Sequence, residues 1–335
     1  MTNDDLIKEI ISKLKEERKN IHSVEELVNF SFDFKFKEFS ISPIQIKSEI
    51  QNLVEILSKI KPKNVLEIGT ANGGTLFLLC EISDPKGVIC SIDLPDGSFG
   101  GELYPMWKAP IYQTFKKKYQ KLFLLREDSH KNSTKNKVKE LMENDKFDFI
   151  LIDGDHTYEG VKQDFDMYST LLKTNGIIAF HDINPGPSEY VGGVPKFWNE
   201  IRMKYKSIEI KEKKSFGGYG IGLVFLEPRS TVDSVYEKII KIISGSKDKK
   251  LVLESEIERK KLIIEHPLSS LLFVYRERQD LKEKFPEVKK GIFKNFMDWA
   301  IHYGIKEYKE VLFQHKKWYE NSLSELIKKE ENEKI

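Results

Sequence analysis

The stretch "VLEIGTANGGT", Val65–Thr75, decides the fold. An apolar run ends in a glycine turn and passes at once into "LFLLCEI", an apolar stretch of helical character. Gly69 lets the backbone turn sharply, and Gly73-Gly74 remove side chains where a ligand could approach the start of that helix. A dinucleotide fingerprint needs a second glycine where Ala71 stands, and a Walker loop needs a Gly-Lys-Ser/Thr that does not follow.

Outward from this turn, short apolar runs alternate with helical stretches. After "NVLEIG" come "GVICSID", a long loop, "KLFLLRED", a helix around "NKVKELME", "FDFILID", a helix through Phe165 to Leu172, and "GIIAFHD". This alternation predicts βαβ units and a parallel, doubly wound α/β sheet covered on both faces. "SIEIKE" and "GIGLVFLE", separated by "KKSFGGYG", predict two further strands as a closing antiparallel hairpin. Upstream, residues 4–18 carry Leu6, Ile10, Ile11 and Leu14 at helical spacing, and a second helix is expected from Ile46 to Ile60, ending before Pro62.

Sheets of this kind bind ligands beyond the carboxyl ends of their strands. Polar residues stand at those ends here: Glu67, Asp93, Asp128, Asp153 and the pair His181-Asp182. Asp93 is placed to accept hydrogen bonds from ribose hydroxyls, and Asp128-Ser129 to meet an adenine edge in the same crevice. No positive charge is arranged for a pyrophosphate, so an acidic crevice of this kind suits a cationic adenosyl ligand.

These segments resemble the class I S-adenosylmethionine-dependent methyltransferases. "LEIGTANGGT", "SIDL", "EDSH", "DFILIDGDHTYEGVKQDF", "GIIAFHDI" and "GVPKFWNEI", in this order over residues 40–227, are similar to one branch in particular. That branch contains macrocin-type and macrolide-sugar O-methyltransferases and the cephalosporin hydroxylase-like proteins. The resemblance implies a Rossmann-like, seven-stranded, mostly parallel sheet with an antiparallel last hairpin. It implies an enzyme that binds S-adenosyl-L-methionine through Glu67, Gly69, Thr70, Gly73, Asp93, Asp128 and Ser129, with Gly69 and Thr70 at the methionine portion. The domains expected are an N-terminal helical cover, 1–60, a methyltransferase domain, 61–227, and a C-terminal helical region, 228–335.

Methyl transfer from a sulfonium to an alcohol leaves the enzyme with one task, which is to activate a very weakly acidic hydroxyl. A base or a divalent cation near the forming alkoxide does this. Asp153 and Asp182 close successive strands and can converge, with His181 beside Asp182. The resemblance implies Asp153, His181 and Asp182 as metal ligands and Asp155 or His156 as general base. His181 departs from the pattern, which places a carboxylate there. Magnesium prefers oxygen ligands, whereas imidazole suits manganese, iron or zinc, so magnesium and manganese both stay open. Helix capping by Asp155 or His156 is the competing structural role.

Two segments are expected to shape the acceptor site. Leu94–Lys117 carries Phe99, Tyr104, Trp107 and Tyr112, and Ile183–Trp198 carries Gly192-Gly193 as a hinge. The expected acceptor is a sugar hydroxyl on a small molecule or glycan, which points to polysaccharide biosynthesis. A non-catalytic adenosyl-binding scaffold of a glycan assembly complex is the alternative, and a nicotinamide-dependent oxidoreductase is disfavoured by the missing glycine.

Composition bounds the rest. Fifty-five Lys and Arg against 53 Asp and Glu give a formal charge of +2, which offers no electrostatic reason for a nucleic-acid partner. Cys80 and Cys90, the only cysteines, sit in apolar settings and read as buried free thiols. No apolar run reaches the length of a membrane span, and the charged N-terminus lacks a signal-peptide core, so a cytoplasmic location is expected. A homo-oligomer stays open. In the tail, Tyr275–Gly304 is similar to a short module of multidomain glycosyltransferases and methyltransferases of surface polysaccharides.

Overall fold

A computed structural model of the chain describes residues 3–95, 103–211 and 219–226. The C-terminal helical region expected over 228–335, with its Tyr275–Gly304 segment, lies outside the described residues, as do Phe99 and most of the turn between the last two strands.

The N-terminal segment builds α1 (Asn3–Arg18), α2 (Val24–Asp33), a two-residue hairpin of β1 (Lys35–Phe36) and β2 (Phe39–Ser40), and α3 (Lys47–Ile60). α1 and α3 stand within a residue of the expected positions. α2 was not anticipated, yet a capping box starts it: the Ser23 hydroxyl accepts from Glu26 N, and the Glu26 carboxylate accepts from Ser23 N. Lys61, at φ 53°, closes α3 in the left-handed region just before Pro62.

The sheet is formed by β3 (Asn64–Ile68), β4 (Val88–Ile92), β5 (Lys121–Leu125), β6 (Phe147–Ile152), β7 (Leu172–Phe180), β8 (Lys206–Ile210) and β9 (Ile221–Phe225). Its order is β5-β4-β3-β6-β7-β9-β8. The first five are parallel, while β9 pairs antiparallel with both β7 and β8. The expected Rossmann-like sheet of seven strands is therefore present, and the last strand inserts between β7 and β8. Gly222 permits that insertion, because a Cβ there would lie 2.5 Å from the ring of Trp198.

The crossovers are α4 (Gly74–Ile82), α5 (Ala109–Tyr112), α6 (Asn132–Leu141), α7 (Tyr158–Tyr168) and, ahead of β8, α8 (Ser188–Val191) and α9 (Val194–Lys204). α7 starts at Tyr158, where Thr157 caps it by accepting from Gly160 N at 2.9 Å. Every residue of β3 and β9 is buried, as strands covered on both faces require. Leu66, Ile68, Ile92, Ile150, Ile152 and Phe180 join one core with Val161, Phe165 and Phe197 of α7 and α9. Cys80 and Cys90 are buried free thiols as expected, and burial pushes the Cys90 thiol up to about 12.

Candidate active site

Strand register lines up five residues in one row. Ile68 pairs with Ile92 and Ile152, Ile92 with Leu125, and Ile152 with Phe180. The residues that follow are Arg126, Asp93, Gly69, Asp153 and His181, in sheet order. The chain winds from β3 through β4 to β5 on one side and resumes at β6 on the other, so the topological switch lies between Gly69 and Asp153. Strand spacing sets Asp93 and His181 about 14 Å apart, a span suited to a nucleoside at one end and a reacting group at the other.

On the β4 side, Asp93 is buried, and its Oδ2 accepts from Thr70 N at 2.7 Å and Ala71 N at 3.0 Å. It thus ties down the glycine loop. Its Oδ1 is buried without a hydrogen-bond partner among the described residues. Burial raises the Asp93 carboxyl above its ordinary range, against the two amides. An orphaned acceptor at this position fits a polyol such as the ribose of an adenosyl group.

Glu67 differs from its expected place at the ligand. It is fully buried within the sheet, accepting from the Ser91 hydroxyl at 2.8 Å, while Thr70 and Ser91 share a hydrogen bond above it. Burial pushes its carboxyl up to about 8, so it underlies the loop as a neutral acid near pH 7.

The glycines are explained largely by the protein's own groups. At Gly69 (φ 95°) a Cβ would lie 1.9 Å from the Asp153 carbonyl oxygen. At Gly73 it would lie 2.6 Å from the Tyr112 ring, and at Gly74 2.1 Å from Ile41 O. The expected ligand approach over Gly73-Gly74 is therefore taken up by the Tyr112 ring, the Ile41 carbonyl and the Pro43 ring. Gly73 N bonds Thr70 O at 2.8 Å, closing the turn.

Asp128 and Ser129 lie three and four residues past β5. Asp128 accepts from His130 N at 2.9 Å, and the Ser129 carbonyl accepts from Tyr168 Oη at 2.8 Å. His130 in turn faces Asp164 at 3.4 Å, a carboxylate with no exposed surface. Asp164 is the first partner in raising the His130 pKa.

On the other side, Asp153, His181 and Asp182 converge. His181 Nδ1 lies 3.3 Å from Asp153 Oδ1 and 3.2 Å from Asp182 Oδ2, and the three donor atoms fall within 4.8 Å of one another. Asp182 adopts φ 58° to turn back toward its neighbour, the strained backbone often found where a site is held. Burial opposes charge on both groups, but the two carboxylates raise the His181 ring to about 10 while His181 and His156 hold the Asp153 carboxyl far below its usual range. One imidazole and two carboxylates, with the buried His181 Nε2 left without a hydrogen-bond partner, form a donor set compatible with a divalent cation of the manganese, iron or zinc type.

His156 joins this cluster, with Nε2 3.5 Å from Asp153 Oδ1 and Nδ1 3.4 Å from Asp182 Oδ2. Its Nδ1 also meets Tyr190 O at 2.6 Å, and because a carbonyl only accepts, that nitrogen carries hydrogen. Burial works against a charge on His156, and the adjoining carboxylates outweigh it to raise its pKa. Asp155 turns the other way: it accepts from Thr157 N at 2.8 Å and packs against Gly160 at the start of α7. Of the two expected bases, the fold brings His156 into the cluster and gives Asp155 a helix-entry contact.

The loop aromatics also sort themselves. Tyr104 and Tyr112 are buried and pack against each other at a tilt with centroids 4.7 Å apart, and Trp107 packs edge-on against Phe39. Tyr104 and Tyr112 are thus core, whereas Trp107 is half-buried. Gly192-Gly193, expected as a hinge, are the points where the chain closes on His156, whose carbonyl accepts from Gly193 N at 2.7 Å.

Residues 66–183 match the family model of a methyltransferase domain. Over this segment the chain is similar to methyltransferase domains. The chain is 23% identical over 180 residues to the uncharacterized protein y4gI of Sinorhizobium fredii, covering 51% of this chain and 18% of that protein. It therefore spans less than a fifth of that relative's length. Among solved structures, the O-methyltransferase TomG of Streptomyces achromogenes, in complex with SAM, is similar over 62% of this chain and 91% of its own, at 13% identity and a TM-score of 0.40. The O-methyltransferase of Bacillus cereus, in complex with SAH, is similar over 60% and 88%, at 17% identity and a TM-score of 0.39.

Several site residues escaped the reading of the sequence. Arg126, stacked over the Tyr104 ring at 4.7 Å, directly follows the "KLFLL" run and could have been found by register alone. Asp164 sits on the buried helical stripe Val161, Phe165, Tyr168, a pattern visible in the sequence. Gln45, which donates to Asp153 Oδ2 at 2.5 Å, carried no such signal.

Among the described residues, no helix is long and apolar enough to cross a membrane.

Proposed function

We propose that the chain is an O-methyltransferase that moves the sulfonium methyl of S-adenosylmethionine to a hydroxyl of a sugar or glycoconjugate, as in the macrocin-type branch its motifs resemble. The observation that carries this reading is the convergence of Asp153, His181, Asp182 and His156 at the switch point of a methyltransferase sheet.

The nucleoside is held at the β4 and β5 tips by Asp93, with Asp128 and Ser129 nearby, and Gly69 marks the passage toward the reacting end. Asp153, His181 and Asp182 would hold a divalent cation, which when bound would supply positive charge that lowers the pKa of an acceptor hydroxyl. His156, with hydrogen on Nδ1 toward Tyr190 O, presents Nε2 as the proton acceptor. The acceptor oxygen attacks the methyl carbon, the carbon–sulfur bond breaks toward sulfur, and the hydroxyl proton passes to His156. Asp155 steadies the loop that carries it.

The acceptor meets an apolar rim. Ile44, Leu94, Met106, Tyr190 and Tyr219 are exposed, and each lies on a segment bonded to the site or adjoins a site residue. Such a rim suits the apolar face of a sugar ring or an aglycone.

The test is methyl-donor consumption across a panel of sugars and glycosides, with and without chelator. Wild type should turn over at least one acceptor, and Asp153→Ala and His156→Ala should lose turnover while calorimetry still detects S-adenosylmethionine binding. Turnover indifferent to exhaustive chelation removes the cation from this reading. Binding of the donor with no transfer to any acceptor favours the scaffold.

A further inference from the structure

We infer that Gln45, in the N-terminal segment outside the methyltransferase match, is a positioning residue that sets which oxygen of Asp153 faces the His181–Asp182 cluster. The inference rests on the cation reading above and extends it to a part of the chain no motif marked.

Gln45 bridges two walls of the crevice. Its Nε2 donates to Asp153 Oδ2 at 2.5 Å, and its Oε1 accepts from the Thr75 hydroxyl, at the start of α4, at 3.0 Å. The amide can sit only one way round, since a carboxylate accepts and cannot donate. With Oδ2 thus engaged, Asp153 turns Oδ1 inward, 3.3 Å from His181 Nδ1 and 3.5 Å from His156 Nε2.

The same segment acts on the second carboxylate. Glu49, buried one turn further along, accepts from Gly220 N at 2.8 Å. The preceding residue, Tyr219, donates its N–H to Asp182 Oδ1 at 3.1 Å, which leaves Oδ2 toward His181. Each carboxylate therefore has one oxygen tied from outside and one directed inward. The strap that does this is itself seated on the glycine loop, where Asn72 Nδ2 donates to Ser42 O at 3.3 Å. Hydrogen bonds of this kind fix the orientation of ligating side chains, and their loss typically lowers metal affinity about 10–100-fold.

The experiment is a Mn2+ titration of the full chain, read from the electron paramagnetic resonance signal of the free ion, without methyl donor or acceptor. Gln45→Met keeps the side chain's length and removes both hydrogen bonds. Wild type should take up the ion, Asp153→Ala should lose it, and Gln45→Met should bind about 10–100-fold more weakly. Calorimetry should place S-adenosylmethionine affinity of Gln45→Met within about twofold of wild type, since Asp93 holds the nucleoside at the other end. Thr75→Val, which removes only the group orienting the amide, should weaken Mn2+ in the same direction by less, and decides the matter if Gln45→Met does not fold. Wild-type Mn2+ affinity in Gln45→Met, or in Thr75→Val should that variant have to decide, overturns the role of Gln45 and leaves the cluster standing. No uptake by wild type overturns both.

Discussion

Glu67 offers a test of the site's interior that requires no ligand. The carboxyl is fully buried beneath the glycine loop and its pKa is raised from 4.5 to about 8, chiefly by burial, with Asp93 and Asp153 adding to it. In the unfolded chain it ionises in the ordinary range, so between these values the folded state holds a proton that the unfolded state has released. Stability due to this group is fully present below about pH 4.5 and is lost as pH rises toward 8. Each pH unit in the window is worth about 1.4 kcal/mol, so wild type should lose on the order of 3 kcal/mol between pH 5.5 and 8 from this residue alone. Glu67→Gln imitates the neutral acid and cannot ionise. Urea unfolding of both proteins, followed by far-ultraviolet circular dichroism at several pH values, isolates the difference. The variant should gain on wild type steadily across the window and level off above it. A difference that stays flat from pH 5.5 to 8 would refute the claim that Glu67 is held neutral.

Three further outcomes are expected. Asp93→Ala should weaken S-adenosylmethionine binding about 10–100-fold by calorimetry, the value of one charge-assisted hydrogen bond, and should loosen the Thr70-Ala71 turn that its other oxygen holds. Asp164→Asn should lower the His130 titration midpoint followed by NMR of the imidazole, because Asp164 is the main group raising it; an unchanged midpoint would show that the two side chains do not meet. Gly69→Ala should destabilise by more than about 2 kcal/mol or fail to fold, since its Cβ would overlap the Asp153 backbone, whereas Ala71→Gly at φ 43° should stay within about 1 kcal/mol of wild type by thermal unfolding.

Much of this architecture could be read from the sequence because its elements are short, periodic and punctuated. The five parallel strands are apolar runs ending in a charged or glycine residue, and each was found within a few residues of its true end. What was missed follows from interactions that leave no local pattern. α2 is the exception, since its Ser23–Glu26 capping box and the helical spacing of Val24, Leu27 and Val28 are local signals that the reading passed over. The insertion of β9 between β7 and β8 is a choice of partner, which hairpin spacing cannot specify. Tyr104 and Tyr112 look like substrate aromatics because they follow a strand tip; only the fold shows that Gly73 has lost its side chain to make room for Tyr112.

The candidate site divides in the same way. Candidates that stand at their own strand tips, Asp93, Asp153, His181 and Asp182, were legible because position in a parallel sheet converts sequence spacing into spatial order. Choosing between Asp155 and His156 was not, since both precede the same helix and only the cap decides which turns inward. Thr157 takes the cap and Asp155 bonds Thr157 N, which leaves His156 to face the two carboxylates. The groups that aim those carboxylates, Gln45 and the Glu49–Gly220–Tyr219 contact, come from segments more than 30 residues away from their targets. A strand tip thus supplies the chemical group, while its orientation is set by partners distant in sequence. That is why ligand candidates could be named from the sequence and their supporting hydrogen bonds could not.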